Sequence, residues 1–249
     1  MRIITALIII LFANITFAGE DIELKKMVWP FEGYHGTFDR QAAQRGFQVY
    51  KEVCSACHSL SRISYRNLEE LGFSPAEIKA IASQYKVTDG PNDQGEMFER
   101  NALPSDYFVA PFKNEQAARA ANSGALPPDL SLIIKARHHG PNYVFSLLTG
   151  YEDPPAGFHL IDGAHYNKYF PGHQIAMPSP LSDGAVTYED GTKATVEQMA
   201  YDVVNFLQWA SEPEMEKRKS IGMKVMIYLF IFTIFFYFTK KRIWKNLKR

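Results

Sequence analysis

The sequence predicts a mainly α-helical domain with long loops, joined to one C-terminal transmembrane helix. Three observations carry this reading. No segment shows the sustained period-two alternation that a sizeable sheet needs, three segments open with helix start signals, and an uncharged apolar run lies near the C-terminus.

The first helix is expected to begin near Asp39 and to place Phe47, Tyr50 and Cys54 on one face, at spacings of three and four. Ser74-Pro75-Ala76-Glu77 is a capping box with proline in the first turn, so a second helix starts there. Thr195-Val196-Glu197-Gln198 opens a third, whose apolar face runs Met199, Val203, Phe206, Leu207, Ala210 and which ends before Pro213. Turn-rich stretches at 30–38, 87–95 and 141–192 read as surface connections, and a short hairpin is compatible with Val186 to Thr192.

Both ends of the chain carry targeting information. Met1-Arg2, the apolar run Ile3 to Phe17, and Ala18 ahead of Gly19-Glu20-Asp21 make residues 1–18 a secretory signal peptide; an uncleaved anchor would need a longer apolar run. Val225 to Thr239 carries no charge, and counting from Ile221, with Lys224 snorkelling, it reaches roughly 28 Å as a helix, enough to span. The expected organisation is therefore an exported domain at 19–216, an anchor helix at 217–239 and a basic tail at 240–249, with Trp244 at the interface. The positive-inside rule puts the tail in the cytoplasm and the domain outside; Lys217, Arg218, Lys219 and Lys224 on the other flank oppose this, and the exported N-terminus decides it.

Overall neutrality hides a strong asymmetry. Residues 19–216 hold all 27 acidic residues but only 16 of the 27 basic ones, a net charge of −11. Such a charge keeps a domain soluble and can steer a cationic partner, and no nucleic-acid partner is expected.

The only cysteines are Cys54 and Cys57, too close together to staple a fold. In Cys54-Ser55-Ala56-Cys57-His58 two thiols three positions apart precede a histidine, the attachment signature of c-type haem. Each thiol adds to a haem vinyl group, and the adjacent imidazole is carried to the iron. A zinc site would need two further ligands at matching spacing, and a redox dithiol would leave the histidine unexplained.

The second axial position decides the chemistry. An open one admits small ligands, as in a haem enzyme or sensor, whereas a thioether raises the potential and leaves an electron carrier. Among the methionines, Met223 and Met226 lie in the anchor, Met199 on a core helix face, Met215 in a charged linker, and Met27 before a turn region. Met97 and Met177 remain: Met177 sits in the proline-stiffened loop Gly172-His173-Gln174-Ile175-Ala176-Met177-Pro178-Ser179-Pro180, while Met97 reads as a flexible core filler. His35, His138, His139, His159, His165 and His173 read as loop residues. Pro127-Pro128-Asp129-Leu130 would form a rigid wall suited to a porphyrin face, although diproline is common in loops, and Arg137 is one of several arginines able to meet a haem propionate.

Beyond the haem motif, the chain resembles the cytochrome c1 family along its whole mature length. The resemblance rests on Arg45-Gly46-Phe47-Gln48-Val49-Tyr50-Lys51-Glu52-Val53-Cys54 through His58, Asp89-Gly90-Pro91, Gly95-Glu96-Met97-Phe98, Ala117-Ala118-Arg119-Ala120-Ala121-Asn122, Gly124 to Ser131, Tyr143 to Tyr151 and the tail anchor. It implies a class I cytochrome c-like haem domain with long loop insertions, one covalent haem c, His58 and Met177 as axial ligands, and Cys54 and Cys57 as thioether attachments. It also implies Arg137 at a propionate and Pro128 and Tyr143 in the haem pocket. The family's setting would be the quinol–cytochrome c oxidoreductase, with cytochrome b and the Rieske iron–sulfur protein as neighbours, cytochrome c as acceptor and the lipid bilayer around the anchor. The short tail and the lack of further cysteines give a bacterial type, placed in the inner membrane with its haem domain periplasmic. A tethered carrier serving an oxidase without cytochrome b is the alternative within the same class.

Overall fold

A computed structural model describes residues 22–245; the expected signal peptide and the last four residues of the tail lie outside that range. Six α-helices organise the described chain: α1 (Arg40–Glu52), α2 (Pro75–Ala82), α3 (Glu115–Ala121), α4 (Gly140–Leu148), α5 (Val196–Ser211) and α6 (Met215–Trp244). Strand is confined to two small antiparallel pairs, β1 (Lys86–Asp89) with β2 (Phe98–Asn101) and β3 (His165–Tyr166) with β4 (Gln174–Ile175). The mainly helical fold class with a C-terminal apolar helix is the one the sequence predicts.

The three start signals act as expected. Asp39 accepts from the Ala42 N–H at 3.0 Å ahead of α1, Ser74 and Glu77 close a reciprocal capping box ahead of α2, and Thr195 accepts from the Gln198 N–H at 3.2 Å ahead of α5.

The core forms where α1 crosses α5. The Phe206 ring lies 5.6 Å from both Phe47 and Tyr50, and every residue of the expected α5 face, from Met199 to Ala210, is buried. Gly46 lets the backbones meet, since a Cβ there would stand 2.0 Å from the Asp202 carbonyl oxygen. Beside it, Arg45 donates through Nε and Nη2 to the two carboxylate oxygens of Asp202, both at 2.9 Å, and through Nη1 to Asp190. Asp202 is fully buried and takes a further bond from Gln198. These bonds raise the Arg45 pKa against the desolvation that burial imposes.

Four details of the sequence reading need correction. The stretch from Pro141 is not all loop: α4 starts at Gly140, and Pro141 sits in its first turn, where its missing N–H would have been unpartnered anyway. Strand pairing falls at β1 and β2 around the 90–96 turn and at β3 and β4, and residues 186–192 form no strand, with Val186 and Tyr188 buried. Met97 follows that turn and is 61% exposed, so it fills no core. Met215 is not in a linker but buried in the core cluster.

That last point determines how α6 leaves the domain. Glu216 accepts from the Phe38 N–H at 2.7 Å and pairs with Arg40, and Lys219 Nζ donates to the carbonyls of Phe31 and Gly36 at 2.7 and 3.0 Å. The 30-residue helix, about 45 Å long, therefore continues from the domain without a linker. Its apolar window has a mean hydropathy of 2.0 with none of it buried, and it is the one helix among the described residues long and apolar enough to cross a membrane.

The buried Arg45–Asp202 pair gives a direct test of the crossing. Arg45→Met, which strands a buried carboxylate, is expected to cost about 3–5 kcal/mol in denaturant unfolding, and Arg45→Met with Asp202→Leu should recover much of that loss.

Candidate haem site

The site begins where α1 ends. Its last turn passes into a short 3-10 turn at Cys54–Ala56, in which the Cys54 carbonyl accepts from the N–H groups of both Cys57 and His58, at 3.1 and 2.9 Å. Ser55 Oγ bonds the Lys51 carbonyl and Tyr50 Oη bonds the His58 carbonyl, so thiols and imidazole leave the helix on a fixed turn.

A second segment, Pro128 to Ser131, is laced to the residues that follow. His58 Nδ1 lies 2.8 Å from the Pro128 carbonyl oxygen. The Leu130 N–H donates to the Ser59 carbonyl at 2.9 Å and the Arg62 N–H to Ser131 Oγ at 3.1 Å. Asp129 binds the two segments together: its carboxylate accepts from Ser59 Oγ, the Ser61 N–H and the Ser131 N–H at 2.7, 2.9 and 2.8 Å. Burial alone would raise its pKa, but hydrogen bonds from Ser131, Ser61 and Ser59 outweigh that and hold the carboxyl down to about 2.

These contacts fix the ligand chemistry. A carbonyl only accepts, so His58 must carry its proton on Nδ1, which leaves the Nε2 lone pair for a metal. Burial, working against the Pro128 carbonyl and Asp129, lowers the His58 pKa and keeps the ring neutral, the form that ligates. Burial, reinforced by Cys57, pushes the Cys54 thiol up to about 12. It is a poor thiolate, and the described residues hold no group of three or more His, Cys, Asp or Glu able to bind a metal, so the zinc reading has no ligand set.

An open cleft of about 290 Å³ borders Cys57 and is walled by Ala110-Pro111-Phe112, Leu126, Pro127 and Pro128, the rigid wall expected from the diproline. The Met177 loop is held from another side, where Tyr151 Oη donates to the Met177 carbonyl at 3.0 Å. Tyr151 lies just past α4, which carries Tyr143; burial first and the nearby Tyr143 second raise its pKa. Arg137 is exposed and donates to the carbonyl of its own neighbour Ala136.

The structure thus brings His58 and Pro128 into contact, sets Cys54 and Cys57 on one turn, ties Met177 to the segment after α4 and leaves Arg137 in solvent. Sequence reasoning missed Asp129 and Tyr151. Asp129-Leu130-Ser131 carried a signal, since an aspartate that bonds the backbone two residues on makes an Asx turn. For Tyr151, 26 residues from Met177 in sequence, there was none.

A buried Cys54 thiol, whose pKa is pushed up, and a histidine whose Nδ1 is already committed leave the His58 Nε2 as the ligand atom still available. The class so defined is a membrane-anchored protein with a class I cytochrome c-like haem domain. The chain belongs to the cytochrome c1 family, whose profile, described as the Cytochrome C1 family, matches residues 29–247. It is 47% identical to "Cytochrome c1" of Rhodospirillum rubrum, covering 91% of this chain and 89% of that protein. It is 52% identical to "Cytochrome c1-1, heme protein, mitochondrial" of Solanum tuberosum, covering 95% and 75%. Against "Cytochrome b/c1" of Bradyrhizobium diazoefficiens identity is 54% over 88% of this chain, which spans 35% of that protein's length.

Asp129 supplies a pH-dependent test. A carboxyl whose pKa falls from 3.8 to about 2 on folding stabilises the fold above the higher value and loses that contribution as pH drops through the lower. Asp129→Ala is expected to cost about 2–3 kcal/mol in urea unfolding at pH 7, and its difference from wild type should shrink as the pH is lowered toward 2.

Proposed function

We propose that this chain carries one covalent haem c and relays single electrons within a quinol–cytochrome c oxidoreductase. The observation that carries the reading is the His58 Nδ1 to Pro128 carbonyl bond directly after the turn that bears Cys54 and Cys57. Cys54 and Cys57 would attach the haem, His58 Nε2 and the Met177 thioether would fill its axial positions, and bound haem supplies reversible one-electron exchange at iron.

The protein's own residues do the positioning. The Pro128 carbonyl fixes the His58 tautomer and ring, Asp129 holds the segment that bears that carbonyl, and Tyr151 holds the backbone of Met177. With His58 and Met177 both holding the iron, no substrate would reach it and only electrons would pass. Pro128 and Tyr143 would line the pocket, and Arg137, exposed and bonded to its neighbour's carbonyl, would be available to a propionate.

The proposed donor is the Rieske iron–sulfur protein, the acceptor a cytochrome c, and cytochrome b the membrane partner; the name of the Bradyrhizobium relative supports the last of these. The acidic exported domain, at −11, would draw a lysine-rich acceptor. The proposed setting is the inner membrane, with the haem domain periplasmic and the tail cytoplasmic. Two of the four cations on the outer flank are paired with carboxylates, Lys217 with Glu214 and Arg218 with Glu212, while Lys219 donates to two carbonyls and keeps its charge, so the exported N-terminus carries the orientation. Cleavage after Ala18 and the segment boundaries at 217 and 240 belong to the same proposal.

The attachment is tested by denaturing electrophoresis of the matured chain, in which the haem colour should run with the polypeptide; a colourless band would sink the covalent assignment. On the same material, Met177→Leu should abolish the sulfur-to-iron charge-transfer band and lower the potential, and an unchanged spectrum would reassign the ligand. Electron delivery to cytochrome c is expected to slow as ionic strength rises, and a rate indifferent to salt would remove the steering role of the acidic surface.

A further inference from the structure

At the point where α6 leaves the domain, the segment Pro30–Thr37 folds back on itself. The Thr37 N–H donates to the Pro30 carbonyl at 3.0 Å, closing the neck, and Lys219 Nζ binds the Phe31 and Gly36 carbonyls from within. Phe31 is buried and stacks on Trp29, and a Cβ at Gly36 would stand 2.1 Å from the Glu32 carbonyl oxygen. The loop is therefore rigid. At its tip, following Gly33 with its φ of +72°, Tyr34 is 87% exposed. An aromatic side chain held so far into solvent on a clamped loop has nothing in the domain to pack on.

The clamp sets the depth of the loop. Lys219 lies two residues before Ile221, where the apolar run begins, an axial distance of about 3 Å. The headgroup zone of one leaflet is roughly 5–8 Å thick, so carbonyls bonded by Lys219, whose side chain leans toward the helix N-terminus, sit at or just above that zone, within reach of a tyrosine side chain. Membrane helices place tyrosine and tryptophan at both interfaces. At its far end α6 has Trp244, with Lys240 Nζ 5.4 Å from the ring centroid, whereas Met215 to Val225 contains no aromatic residue. The near end lacks its own anchor.

We infer that the Pro30–Thr37 loop, through Tyr34, seats the domain on the lipid headgroup interface and supplies the aromatic anchor that the first turns of α6 do not carry. The surface recognised is the headgroup zone itself, met by the amphipathic tyrosine ring rather than by headgroup charge. The inference rests on α6 spanning the membrane and does not depend on the haem assignment.

The test is photocrosslinking of the full chain in its native membrane, with p-benzoylphenylalanine introduced in turn at Tyr34, Phe230 and Phe232. The last two lie about 200° apart on α6, so at least one faces lipid when the helix spans. The expected result is a lipid-mass adduct at position 34 as well as at one of the span positions. Lipid adducts in the span with none at 34 would overturn the inference and leave the anchor intact. An adduct at 34 to another polypeptide would make this loop a protein interface and likewise overturn it. Lipid adducts at none of the three would remove the spanning helix and the inference together.

Discussion

The hydrogen bond between His58 Nδ1 and the Pro128 carbonyl is the constraint on which the candidate site depends. It joins two segments 70 residues apart, and each arrives there for its own reason. One is the continuation of α1, whose buried face against α5 fixes where the helix ends and hence where the thiols emerge. The other is a proline-stiffened run with few backbone donors of its own, which leaves its carbonyls able to serve a side chain. Asp129 ties the two together: three hydrogen bonds converge on one carboxylate and hold its pKa below the usual range, so the folded chain favours the charged form. The orientation of the His58 ring is thus fixed by the chain's own bonds.

Much of this was legible in the sequence, for identifiable reasons. The cap signals at Asp39, Ser74 and Thr195 act over three residues, so local chemistry determines them, and the apolar face of α5 is a periodic signal that burial alone imposes. The haem motif is likewise local. What could not be read was set by tertiary contact. The bond from Tyr151 to the Met177 carbonyl, the pairing of Arg45 with Asp202, and the burial of Met215 each depend on segments brought together only by the fold. Pro141 misled for a different reason: a residue that breaks a helix in its interior here sits in the first turn of one. Met97 was assigned to a core because nothing in its neighbours reveals that a two-stranded pair would hold it out in water.

The buried Arg45–Asp202 pair and Gly46 show how closely the scaffold is specified. A bidentate ion pair in the interior gains little net stability over well-packed apolar residues, but it tolerates one geometry, and adjacent to a glycine contact it fixes the rotation of α1 about its own axis. Rotation matters because Cys54 lies about two turns beyond Gly46 on the same run of chain. A slip by one residue would turn the thiols by about 100°.

The same helix serves as a strut. Arg40, at the start of α1, is bonded to Glu216 in the first turn of α6, and the helix is 13 residues long, so its length is about 20 Å. Cys54, two residues past the end of α1, stands about 21 Å along that axis from Arg40, and any tilt lowers its height above the root of the apolar helix. The standoff of the reactive end is therefore set chiefly by the length and tilt of one element, and a protein exchanging electrons with this domain must bring its own centre to that height.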